Sequence, residues 1–181
     1  MPAAVRSAFD VAFWFADTAA HDNEYLQPQK LQRLMFLAQA YYVVAYNGRT
    51  LMPAVFVADE LGPIEPNVYV AFSRGRPEID VELFLPTEVE SFLSAIWRRF
   101  GHYSAERLSR MTNDTIAFRH ALKQGRRAEI PLDAMRISFA RAEATPAIDQ
   151  IVKPKILRTQ TGKPVAVQAW VPGTAKPAVT K

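Results

Sequence analysis

The sequence predicts a mainly α fold: a compact helical domain, a short extended or β segment within it, and a proline-containing basic C-terminal extension. Three observations carry this expectation. Apolar residues recur at spacings of three and four in one window after another, which marks helices with a buried face. Proline, glycine, asparagine and hydroxyl residues fall at the edges of those windows, where helices start and stop. Beyond residue 145 the helical spacing ends and prolines follow at 146, 154, 164, 172 and 177, five of the 13 in the chain. The helical domain is therefore assigned to residues 1–144 and the extension to 145–181.

The first helix is expected over residues 3–20, with Val5, Phe9, Ala12, Phe13 and Ala16 on one face and Asp22-Asn23 as its break. The second begins near Pro28, whose fixed φ suits a first helical turn, and ends at Asn47-Gly48. Its second half is apolar on nearly every side, so it is expected at the centre of the fold. Residues 53–61 (PAVFVADEL) are β-branched and aromatic and are expected to be extended. Gly62-Pro63 and Glu65-Pro66 punctuate the chain before a short helix over 66–74, with Val68, Tyr69 and Phe72 facing inward. Thr87 to Glu90 (TEVE) reads as a capping box for a helix that stops at Gly101. Ser104 is expected to cap the next helix, and Thr112, Asn113 or Asp114 the one that ends at Gly125. Pro131 opens a last helix, with Leu132, Met135 and Phe139 on one stripe. In the extension, 155–159 and 165–171 either pair across Thr161-Gly162-Lys163-Pro164 as a hairpin or stay extended until a partner orders them.

Residues that carry chemistry are scarce. The absence of cysteine removes disulfides, thiolate metal sites and cysteine nucleophiles, and fits a reducing cytoplasm. His21, His102 and His120 stand apart from one another, with no metal-ligand spacing. No phosphate-cradling glycine loop and no GxSxG elbow occurs. Asp59 and Glu60 lie in or beside an extended segment, where neighbouring side chains point to opposite faces, so a shared-proton pair is disfavoured. The arginine pairs 98–99 and 126–127 read as solvated helix ends that complement the helix dipole. No apolar run reaches the roughly 18 residues needed to span a bilayer. The reading is a non-enzymatic protein with no cofactor and no bound metal.

Three segments, in order, resemble the Panacea domain found on many bacterial antitoxins. Residues 31–42 (LQRLMFLAQAYY) are similar to that family's LQKLLYLAQAYY helix. Residues 61–69 (LGPIEPNVY) are similar to its YGPVxPxVY turn, and 100–109 (FGHYSAERLS) to its YGxYSAxELS segment. Leu61 departs from the usual aromatic, and Asn113 and Phe118 stand where the family often shows His and Trp. The resemblance implies a helical domain that neutralises a cognate protein toxin by direct contact. An adaptor role, delivering the toxin to ClpX of the ClpXP protease, is implied with it. Leu31, Leu34, Gly62, Pro63, Tyr69, Tyr103, Ser104 and Leu108 are then the residues that specify the fold.

Contacts to a partner are expected at Asp59, Glu60, Tyr69, Arg107 and Trp170. Trp170 lies among valines in a polar, basic stretch and suits an interface anchor or a fold-back contact on the body. Between 144 and 181 six basic residues face the single acid Asp149, so this stretch carries +5 of a total of +4 and the remainder −1. Such a basic extension suits an acidic protein surface or, as an alternative function, DNA binding by a transcriptional regulator.

Overall fold

The computed structural model describes residues 2–79, 82–141, 146–151, 156–158 and 164–166. Among these, seven helices and two small antiparallel pairs of strands form the fold, as the mainly α expectation requires. The central element is α2 (Pro28–Ala45), and it is buried without interruption from Lys30 to Val43. Around it pack α1 (Ala8–His21), α4 (Thr87–Phe100), α5 (Ala105–Asn113) and α7 (Leu132–Ala140). A helix apolar on all sides can satisfy its side chains only by being surrounded. Pro28 sits in the first turn, and Asn47 (φ 52°) and Gly48 (φ 89°) turn the chain away after the last.

α1 starts later than its apolar spacing predicts. Ser7 caps it: its Oγ accepts from Phe9 N at 3.1 Å, and Asp10 Oδ2 accepts from Ser7 N at 3.0 Å. Upstream, the chain bends instead of coiling, and the backbone amides of Ala4 and Val5 donate to Thr50 O and Leu51 O, both at 2.9 Å. Val5 is buried all the same, so apolar spacing alone did not separate helix from irregular chain.

Two other caps differ from expectation. The N-cap of α4 is Pro86, whose carbonyl accepts from Val89 N and Glu90 N, and no side chain caps that end. Thr87 is thereby already the first helical residue, so the Thr87–Glu90 box does not form. α6 (Ile116–Gln124) is capped by Thr115, because α5 runs on through Asn113 and absorbs the candidates ahead of it. Thr115 Oγ1 accepts from Phe118 N at 3.3 Å and donates to Thr112 O at 2.7 Å. Ser104 does cap α5, Gly125 does end α6, and Pro131 does precede α7.

β1 (Val57–Asp59) and β2 (Gly62–Ile64) form a hairpin that packs on α2, followed at once by the short helix α3 (Pro66–Ala71). Residues 127–130 line the other side of β1: Arg127 N and Ala58 N exchange bonds with Ala58 O and Ala128 O, each at 2.8 Å. Beyond α7, a 3-10 turn (Ile148–Gln150) precedes Ile151, which joins the buried core. Tyr41 Oη on α2 donates to Pro146 O at 2.7 Å. Further on, β3 (Ile156–Arg158) pairs antiparallel with β4 (Pro164–Ala166), which is the hairpin alternative for the extension.

Candidate functional site

In a helix buried on every side an unpaired polar group costs about 1–3 kcal/mol, and most polar groups of α2 have partners, Gln32 Nε2 and Tyr42 Oη excepted. α2 carries four buried polar residues: Lys30 pairs with Glu24, and Gln39, Gln32 and Arg33 each hold a different segment of chain. The Gln39 amide clasps Met52, accepting from its N at 3.1 Å and donating to its O at 3.2 Å. Gln32 Oε1 accepts from Glu65 N at 2.7 Å. Glu65 is itself buried and caps α3, accepting from Val68 N at 2.7 Å and from Asn67 Nδ2 at 3.1 Å.

Arg33 is the third, and it is 1% exposed. Its guanidinium donates to Leu61 O, to Pro63 O at 2.5 Å and to Ser109 Oγ at 3.1 Å. Leu61 and Pro63 flank Gly62, so the fork grips both sides of the β1–β2 turn while its Nε reaches α5. Gly62 has φ +122°, and a Cβ there would sit 2.6 Å from the guanidinium carbon and 2.7 Å from Asn113 Oδ1. Only glycine satisfies both the backbone angle and the close approach. Burial pulls the Arg33 pKa down to about 10, opposed by the charges of Asp59 and Tyr69, so the group is still a cation near neutral pH. The segments 31–42, 61–69 and 100–109, far apart in the chain, meet at this one side chain or at its immediate neighbours.

No family model, curated protein or solved structure matches the chain. The likeness to the Panacea domain thus rests on these three segments.

The residues expected to touch a partner differ in exposure and in what they touch within the chain. The Asp59 side chain is only 13% exposed and lies 3.6 Å from Arg127 and 3.9 Å from Arg126, while the exposed Glu60 lies 3.8 Å from Arg126. The acidic pair is therefore met by the chain's own arginines. Those arginines are not helix-end cations: they follow Gly125 in a loop, and Arg127 has φ 60°. Tyr69 is half-buried, one residue before the exposed Val70. Arg107 is exposed and lies 3.7 Å from the Tyr103 ring centre, a cation–π contact. Trp170 lies outside the described residues.

The fold-specifying residues fare differently. Leu31, Leu34, Tyr103 and Leu108 are buried in the core, and so are Gly62 and Pro63 at the junction. Ser104 Oγ accepts from Arg107 N at 3.2 Å. Sequence reasoning did not single out Arg33, Gln32, Gln39 or Glu65, although a polar residue inside an all-apolar helix was the available signal.

A cavity of about 160 Å³ opens between α1, α2 and the segment after α3, floored by Ala16, Leu31 and Phe72. It holds Glu24, which pairs with Lys30 at 3.1 Å, and Arg76, which pairs with Asp17 at 2.5 Å. Among the described residues no cluster of His, Asp or Glu has the makings of a metal site. None of the described helices is long and apolar enough to cross a membrane.

Proposed function

We propose that this chain is an antitoxin that binds and neutralises a cognate protein toxin. Its basic, proline-bearing stretch beyond residue 145 resembles SocA among the Panacea-domain antitoxins. The partner is then a SocB-like toxin, and the chain acts as an adaptor that presents it to ClpX of ClpXP. One observation supports this reading above others: the three segments of the resemblance converge on Arg33. Segments that resembled the family by chance would have no reason to share a buried junction. The residues they devote to it are spent on architecture, which leaves the outer surface to set partner choice.

The test is a tagged pull-down of the full chain from its native cell, with the protease inactivated to preserve short-lived partners. A single small protein encoded beside this one is the expected catch, and ClpX in the same eluate distinguishes an adaptor from a passive sponge. Recovery of no protein overturns the reading. It then favours a DNA-binding regulator using the basic extension, whose retention on promoter DNA falls steeply with salt.

A further inference from the structure

Ahead of α4, residues 82–86 lie on the core without pairing to any strand among the described residues. Upstream, Arg76 is itself anchored. Its Nε donates to Asp17 Oδ1 at 2.5 Å, its Nη1 to Pro77 O at 2.9 Å and to Ile79 O at 3.3 Å, and the guanidinium lies 5.0 Å from the Phe13 ring centre. Pro86, as the N-cap of α4, anchors the end. From 82 to 86, exposure alternates from residue to residue: Glu82, Phe84 and Pro86 are exposed, whereas Leu83 and Leu85 pack against the core. That period of two belongs to an extended strand lying on an apolar surface. Yet from Glu82 to Leu85 no backbone amide or carbonyl bonds to another described residue.

Natural proteins usually blunt an open strand edge with lysine, a bulge or a covering loop. Here Glu82 and Pro86 bound a short edge, and between them Phe84 stands 86% exposed. Along the chain beyond Arg76, the charges have one sign. From 77 to 97 the sequence holds five acids and no basic residue, and Glu78, Glu82, Glu88 and Glu90 are all exposed.

We propose that residues 82–85 are a strand-addition site for an extended, basic segment of a partner protein, with Phe84 as its apolar anchor. The open backbone groups would form the ladder, as in other β-augmentation complexes, and the acids would select lysine or arginine at alternate positions. Pro86, at φ −58° and ψ 140°, fixes the end of the edge at α4 and Leu83 and Leu85 tie it to the core, which lowers the ordering cost of binding. The site does not depend on the antitoxin reading, since any partner with such a segment fits it.

The experiment uses the full chain and an eight-residue peptide of alternating lysine and valine, followed by fluorescence anisotropy and by amide hydrogen exchange. Binding should slow exchange at residues 82–85. Phe84→Ala, which removes only an exposed ring, should weaken binding at least about tenfold without lowering Tm. Methylating alternate peptide nitrogens on one edge should weaken it by a similar factor. The same peptide with glutamate in place of lysine should not bind. The proposal is overturned by unchanged exchange at 82–85, or by equal binding of the methylated or acidic peptide. It is also overturned if those amides are protected in a concentration-dependent manner without peptide, since the occupant is then a second copy of this chain.

Discussion

At Gly62 a single hydrogen atom decides whether three segments meet. The position combines φ +122° with 2.6 Å between a notional Cβ and the Arg33 guanidinium. Gly62→Ala is therefore expected to cost at least about 2 kcal/mol in denaturant unfolding, from backbone strain and displacement of the fork together. A loss within about 0.5 kcal/mol would mean that the turn adjusts without Arg33 and that the junction is incidental. A second residue makes a prediction about pH. Burial raises the Tyr46 pKa to about 12, with the nearby Glu88 adding to it, whereas an unfolded chain titrates tyrosine near 10.0. A raised folded pKa stabilises fully below the unfolded value and is lost as pH climbs through the folded one. Stability should thus fall between about pH 10 and 12, and Tyr46→Phe should flatten that fall relative to wild type. Denaturant midpoints across this range measure it, and parallel curves for the two proteins would refute the assignment.

At the scale of elements, helix ends separate what could be read from what could not. Pro28, Asn47-Gly48, Ser104 and Gly125 were legible because each acts through its own backbone limits or its own hydroxyl. Thr87 misled because capping depends on which carbonyl accepts the first helical amides, and Pro86 takes that place. This difference predicts unequal effects from one chemical change. Thr115→Ala removes a buried cap that bonds Phe118 N and Thr112 O, and should cost about 1–2 kcal/mol. Thr87→Ala removes no cap and should stay within about 0.5 kcal/mol. Equal losses in thermal or denaturant unfolding would restore the capping box. The Arg33 junction was illegible for a related reason. Its elements were visible in order along the chain, but which polar side chain of α2 faces which turn depends on helix packing, and the helical period does not encode that.

At the scale of the whole molecule, the open matter is where the helical body stops. Composition places the change at residue 145, where prolines begin and helical spacing ends. Packing continues further. Tyr41, which stacks on Phe100 with ring centres 5.8 Å apart, donates through its hydroxyl to Pro146 O at 2.7 Å. Ile148 packs on the core and Ile151 is buried within it. Burying one isoleucine contributes about 1.5–3 kcal/mol, and the tyrosine bond about 1 kcal/mol more. A chain ending at residue 151 should therefore be more stable than one ending at 145 by about 2–4 kcal/mol, the shorter one leaving an apolar hollow beside α2. Ile151→Ala in the full chain should lose about 2–4 kcal/mol and so reproduces most of that difference without removing any backbone. If the two truncated chains unfold at the same denaturant concentration, the helical body ends where the prolines begin, and the contacts of residues 146–151 hold those residues to the core without supporting it.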